Sequence, residues 1–312
     1  AVGYQMRAGQ ARVAAEHQAQ LAQQEAAAQA VAQDFLAALS EADADKALSF
    51  AAATPEGNND LLTREVLVAA NSRAALGQVT VGEPRLTATA DGTWAEGTVK
   101  ASYAIGDQPQ TVDLPVRKVG ADWKVSRVAA PVELGLTGPE RVVNGVKVAP
   151  GDYNLFPGSY SVTSANPLIS LGTSEFVLAS PTASVTDWSS EVALSEEGSK
   201  QSLEAAKRAV DQCLQSKELA PPQSPFIQWS ESGLSIDTST IRYTLKNDPW
   251  ANVQFAFNAG TMTASTSVPV EHEIRAEATR DGTRGSLIPQ TQQRTAHIVV
   301  KVQDGTPQVT FT

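Results

Sequence analysis

Three histidines and one cysteine bound the chemistry this chain can do. His17 falls in a run of Ala, Gln and charged residues, where a solvated helix position is the simplest reading. His272 stands between Glu271 and Glu273. Strand alternation puts the two carboxylates on one face and the imidazole on the other, so three ligands do not converge on a metal, and a solvated or paired strand surface is expected. His297, in the apolar stretch Thr295–Val300, reads as a satisfied, half-buried histidine in or beside a central strand. HExxH, CxxC and a helically spaced His pair are all lacking, so no metal is expected. Cys213 has Asp211 two residues earlier and no neighbouring His, which suits a buried structural thiol better than a nucleophile. There is no G-x-S-x-G elbow, no S-x-x-K and no phosphate-cradling glycine loop, so no catalytic residue and no cofactor is expected.

Aromatic residues offer another kind of chemistry. Tyr153, Phe156 and Tyr160 cluster around Pro157 and Gly158, and Trp188, Trp229 and Trp250 punctuate the later part. Exposed rings with polar neighbours can form a platform for glycans or partners, which makes Tyr153, Phe156 and Tyr160 the candidate ligand-binding residues; the competing reading is that they fill a small β core.

Composition limits the partners. A net charge of −10, with no segment carrying a basic stripe, argues against nucleic acid and against anionic membrane surfaces. With 42 % hydrophobic and 19 % charged residues the chain is a folded globular one, and 312 residues suit two or three domains. A lone cysteine fits the outside of a Gram-positive cell as well as a cytosol.

Residues 5–39 are expected to form one long helix: Ala, Gln, Glu and Arg dominate and Pro is absent. As far as Ala30 its apolar marks are few (Met6, Val13, Leu21), which predicts a solvated stalk; Val31, Phe35, Leu36 and Leu39 then make a stripe that must face a core. A coiled-coil seam over Ala14, His17, Leu21, Gln24 and Ala28 is too polar for a strong zipper. Helices are expected near Asp43–Leu48 and Leu61–Arg73. The period then switches to two, over Gly77–Ala88, Thr93–Tyr103, Gln110–Val119 and Trp123–Ala129. Helices followed by an antiparallel meander make an α+β pattern.

The stretch Phe35–Leu48, a helix running into an A-D-A-D-x-A-L turn, and the closing Lys118–Ser126 with Trp123 resemble nuclear-transport-factor-2-like domains over roughly residues 31–131. The resemblance implies a cone-like helix-plus-sheet domain. Its enzyme members pair an acidic base with a hydrogen-bond donor in the cone; Glu83, Glu96, Asp113 and Tyr103 are the residues here that could take those parts. Val142–Val148, with Asn144-Gly145 suited to a tight hairpin, and Tyr153–Val162, with Pro157-Gly158 suited to a type II turn, are similar to the β modules of TcaA-family and actinobacterial membrane-anchored envelope proteins. A third unit opens with a helix capped at Ser195, with Leu203, Ala206, Val210, Cys213 and Leu214 on one face, followed by strands near Leu234–Leu245, Trp250–Phe257, Thr261–Glu277, Arg294–Val302 and Gln308–Phe311. Val210–Phe226 resembles a stretch of the same actinobacterial proteins in which two cysteines would form a disulfide; Ser224 stands here where the second would be.

The expectation is therefore a multidomain α+β chain: a helical stalk over 1–30, a nuclear-transport-factor-2-like domain over 31–133, a small antiparallel β module over 134–190 and a second α+β domain over 191–312. The function that follows is that of a non-catalytic scaffold or interaction module on the extracytoplasmic face of a membrane. Its anchor would precede the stalk, and its partner would be an envelope protein or a wall component. A wall-glycan or small-ligand module and a pocket-based isomerase are the alternatives.

Overall fold

The computed structural model describes residues 2–90, 92–135, 137–172, 175–184, 186–187, 191–226 and 232–312, with side chains for all of these except 2–9, 186 and 187. The fold is α+β. Its helices are α1 (Val2–Ser40), α2 (Ala44–Ser49), α3 (Arg64–Arg73) and α4 (Glu196–Leu214). Between α3 and α4 run β1 (Leu76–Ala88), β2 (Trp94–Ile105), β3 (Gln108–Val119), β4 (Asp122–Val125), β5 (Ala130–Glu133), β6 (Arg141–Val143) and β7 (Val146–Val148). They are followed by β8 (Asp152–Leu155), β9 (Gly158–Ser164), β10 (Ile169–Leu171), β11 (Glu175–Leu178), β12 (Thr186–Asp187) and β13 (Val192–Leu194). After α4 come β14 (Ser235–Leu245), β15 (Ala256–Asn258), β16 (Thr263–Arg280), β17 (Thr283–Ser286), β18 (Thr291–Lys301) and β19 (Gln308–Phe311). The chain forms two compact units, the first of Ala1–Thr163 and Thr173–Ser190, the second of Ser164–Gly172 and Glu191–Thr312.

In the first unit the apolar stripe of α1 sets the core. Ala28, Val31, Ala32, Phe35, Leu36 and Leu39 recur at helical spacing and are all buried. They face the meander β1-β2-β3-β4, whose inward residues alternate as Val99, Ala101 and Tyr103 on β2, Leu114 and Val116 on β3, and Trp123 and Val125 on β4. Burying a side chain such as Phe35 is worth roughly 1.5–3 kcal/mol. The polar half of α1 joins the fold earlier than the expected end of the stalk at Ala30. Residues 10–20 are all exposed, yet the His17 ring lies 4.8 Å from that of Trp94 and Leu21 packs on the core. Gln24 Oε1 accepts from Trp123 Nε1 at 2.9 Å, and Gln29 Nε2 donates to the Val81 carbonyl at 3.0 Å. Glutamines that pattern reading assigns to water serve the sheet instead.

The remaining strands of this unit form two small sheets, β12-β5-β8 and β11-β9-β6-β7. The β6–β7 hairpin turns on Asn144 (φ 46°) and Gly145 (φ 95°), the two positive-φ positions expected of Asn-Gly. Asn144 also ties the turn down: Oδ1 accepts from Ser161 N at 2.8 Å and Nδ2 donates to the Ser159 carbonyl at 3.1 Å. The type II turn expected at Pro157-Gly158 is not formed. Gly158 instead starts β9 opposite Leu178, and a Cβ there would come 3.3 Å from that of Ala70 on α3. Its glycine answers to a close approach, not to a positive φ.

In the second unit Ser195 caps α4, its Oγ accepting from Gly198 N at 2.8 Å as the sequence predicts. Gly198 lets the helix start press on the chain, since a Cβ there would lie 2.1 Å from the Leu168 carbonyl oxygen. The antiparallel sheet runs β14-β16-β18-β19, with β15 and β17 also pairing with β16. Ile241, Val270, Ile298 and Val300 fill its core. The expected strand Trp250–Phe257 is reduced to β15, and β17 has no counterpart in the sequence reading.

Candidate functional site

The candidate ligand-binding rings lie inside the first unit. Tyr153, Phe156 and Tyr160 are 6 %, 1 % and 1 % exposed, so they form no platform on the surface. Tyr160 stacks on Phe176 with centroids 5.3 Å apart and donates its hydroxyl to the Phe156 carbonyl at 2.7 Å. Tyr153 donates to the Ala149 carbonyl at 3.0 Å. Burial pushes both phenols upward, with the charge of Asp60 adding to the effect at Tyr153. The correction has a simple cause: on short strands these rings, together with Leu155, Phe176 and Leu178, are the large residues that fill the interior. Trp94 and Trp123 are also core, and Trp250 packs part-buried in the second unit. Trp188 and Trp229 lie outside the described residues.

The acids and the donor of the isomerase alternative are not brought together. Glu83, Glu96 and Asp113 are exposed, whereas Tyr103 is buried and spends its hydroxyl on the Ala179 carbonyl. Its phenol is pushed far up by burial.

The strand histidines exchange their expected places. His297 is exposed and shares a hydrogen bond of 2.8 Å with Ser267 Oγ. His272 is 1 % exposed, its ring 4.7 Å from that of Phe226 and 6.1 Å from that of Tyr243. Neither of its nitrogens has a partner among the described residues, and burial holds the imidazole below its ordinary 6.5. Gln292, its cross-strand partner in register, also has a buried and unpartnered Oε1. Directly opposed residues share a face, so two unsatisfied polar groups adjoin in this core. Period-two alternation was the signal available for finding them; it identifies a face but not which face is covered.

Among the described residues no three His, Cys, Asp or Glu side chains gather as metal ligands. Cys213 is half-buried, as the sequence suggests, and burial raises its thiol. The side chain of Ser224, at the absent cysteine's position, opposes that rise.

Two clefts remain. In the second unit one of about 740 Å³ is floored by Ile274 and Ala278 of β16, bounded by Leu287 and Ile288, and reaches Gln292. Arg284 at its rim is paired with Glu277. In the first unit one of about 460 Å³ opens between the chain after α2, the ends of β3 and β4, and the start of β5. Arg117, Arg127 and Glu56 supply its charge. Neither cleft is announced by a motif: the first-unit cleft gathers residues from segments far apart in sequence, and the second-unit cleft, though lined mostly by residues 274–292, holds no catalytic or ligand-binding pattern.

No protein-family model, no curated protein and no solved structure matches this chain.

Proposed function

We propose that the chain is the extracytoplasmic part of a membrane-anchored envelope protein, acting as a non-catalytic scaffold or interaction module. The observation that carries this reading is α1. It runs without a break for 39 residues, about 58 Å at 1.5 Å per residue, and every residue from 10 to 20 is exposed. A helix that packs only over its later part has the properties of a spacer leading into a folded body. Its Ala, Gln and Glu composition keeps such a spacer helical in water. No helix among the described residues is long and apolar enough to cross a membrane, so the proposed anchor would precede this segment. The rings and hydroxyls that a glycan platform or an isomerase would need are engaged in packing, which favours the scaffold over both alternatives.

The test is fractionation of the tagged full-length protein in its own cells, with protease added outside. A membrane-associated protein that is cut within residues 10–20 and releases both units as one soluble fragment is the expected result. A soluble protein protected inside intact cells overturns the proposal.

A further inference from the structure

Arginines in this chain are seldom idle. Arg12, Arg73, Arg208, Arg275 and Arg284 each meet a carboxylate, and Arg141, Arg242 and Arg294 donate to backbone carbonyls. Arg64, Arg85, Arg117 and Arg127 have no such partner among the described residues, and of these Arg117 and Arg127 line the same cleft of the first unit. In a chain of net charge −10, two guanidiniums share this hollow with Glu56 as its one lining carboxylate, and Glu96, opposite Arg117 in the β2–β3 register, is the other acid beside them.

The walls of this hollow are tied to one another. Ala52 N donates to the Val125 carbonyl at 2.9 Å and Val125 N to that of Phe50 at 2.8 Å, fixing the chain after α2 to β4. Ser126 N donates to the Pro115 carbonyl at 2.7 Å, which holds the segment bearing Arg127 against the strand bearing Arg117. The buried Asn154 donates to the Glu56 carbonyl at 2.7 Å and to Asn59 Oδ1 at 2.8 Å, and so pins the third wall. The cleft is thus formed before any ligand arrives, which lowers the ordering cost of binding. Its volume falls in the range of small-molecule sites. Lys124, which pairs with Arg117 in register, is excluded from the set because its Nζ donates to the Ser49 carbonyl.

We infer that this cleft binds a small ligand through an oxyanion, a carboxylate or a phosphate group, held by Arg117 and Arg127. Guanidinium forks match both groups with paired, charge-assisted hydrogen bonds. Glu56 gives the rest of the ligand a place to present a hydroxyl or amino donor. The inference rests on the cleft alone and does not depend on the scaffold reading.

Titration of the full chain with inorganic phosphate and, separately, with succinate tests it, at constant ionic strength set by chloride. The Nε–Hε NMR signals of Arg117 and Arg127 are followed against those of Arg64 and Arg85. Saturable shifts confined to Arg117 and Arg127 are expected with at least one probe, and the probe that produces them tells phosphate from carboxylate. The R117Q/R127Q double variant, altered only at exposed side chains, should weaken that binding at least about tenfold. Shifts that fail to saturate, that appear equally at Arg64 and Arg85, or that persist in the double variant overturn the site; so does the absence of any shift.

Discussion

The two units bury polar groups in different ways. In the first, the Trp123 indole is met by Gln24, the Tyr103 and Tyr160 hydroxyls by the Ala179 and Phe156 carbonyls, and the Asn154 amide by the chain around Glu56. Apart from the Tyr160 bond, which reaches back only four residues, these bonds join segments that the sequence keeps apart, so a buried polar group there acts as a clip. Arg141 differs, donating only locally to the Pro139 and Thr137 carbonyls and leaving its Nε without a partner among the described residues. In the second unit His272, Gln292 Oε1 and Ser202 Oγ are buried and unpartnered among the described residues. An unmet buried donor or acceptor costs about 1–3 kcal/mol, whereas a met one contributes about 1. The second unit has clips of its own, Asn166 Nδ2 donating to the Val302 carbonyl at 2.7 Å and the Tyr243 hydroxyl to that of Glu218 at 2.8 Å, but it also carries the larger cost of unmet groups.

The sharpest way to break this comparison is Asn144→Ala. It removes three side-chain bonds, the longest to the Val66 carbonyl at 3.4 Å, and leaves a φ of 46° on an alanine, which tolerates the left-handed region less well than Asn, for a combined loss of about 3 kcal/mol. Asn144→Gly keeps the conformation and loses the bonds, so it should cost about 2. In calorimetry of the full chain both variants should lower the transition of the first unit alone. An equal shift of both units, or equal loss from the two variants, defeats the argument.

The second unit can be given a covalent clip. Ser224→Cys beside Cys213 should oxidise to a disulfide and stabilise that unit by about 2–3 kcal/mol under non-reducing conditions, an increment abolished by dithiothreitol. Mass spectrometry checks the bond; a variant that stays reduced in air shows that the two side chains are not placed as described.

His272→Leu tests the cost itself. Burial lowers the folded-state pKa of His272 below its unfolded value near 6.5, so its neutral form is favoured by folding. That contribution is complete above pH 6.5 and is lost as pH falls below it, because the unfolded chain then takes up the proton first. Glu273, held low chiefly by Arg275, loses its own contribution only as pH drops through and below about 4.5. Between pH 7.5 and 5 the second unit's melting temperature should thus fall more steeply in the parent than in His272→Leu. At pH 7.5 the variant should be more stable by about 1 kcal/mol, since an apolar side chain removes the two unmet imidazole nitrogens. Parallel pH profiles would show that His272 is not the buried group assumed.

How much of this was legible follows from how local each cause is. The Ser195 cap and the Asn144-Gly145 hairpin are settled within a few residues, and both stand where the sequence places them. His272 and His297 could not be sorted, because alternation specifies two faces while burial is decided by Phe226 and Tyr243 from other segments. Tyr153, Phe156 and Tyr160 were open to either reading until the sheets closed over them. The Arg117–Arg127 cleft is wholly topological: it exists because Ser126 is tied to Pro115 and Ala52 to Val125. The polar part of α1 misled in the opposite direction, since Gln24 and Gln29 look solvated and are bonded to the sheet.

That helix supplies the smallest predicted effect. Val13 is 66 % exposed, one turn before the His17 contact with Trp94, in the stretch assigned to the spacer. Val13→Gln should change the first unit's stability by less than about 0.5 kcal/mol, the range of surface substitutions that touch nothing, and better helix propensity favours a slight gain. A loss above about 1 kcal/mol would mean that Val13 packs against something in solution, a second copy of α1 being the first suspect; sedimentation at two protein concentrations would then separate that case. If stability is unmoved and the protein remains monomeric, the exposed valine is the isolated surface residue that a solvated spacer tolerates, and the division of α1 into free and packed parts stands at His17 rather than at Ala30.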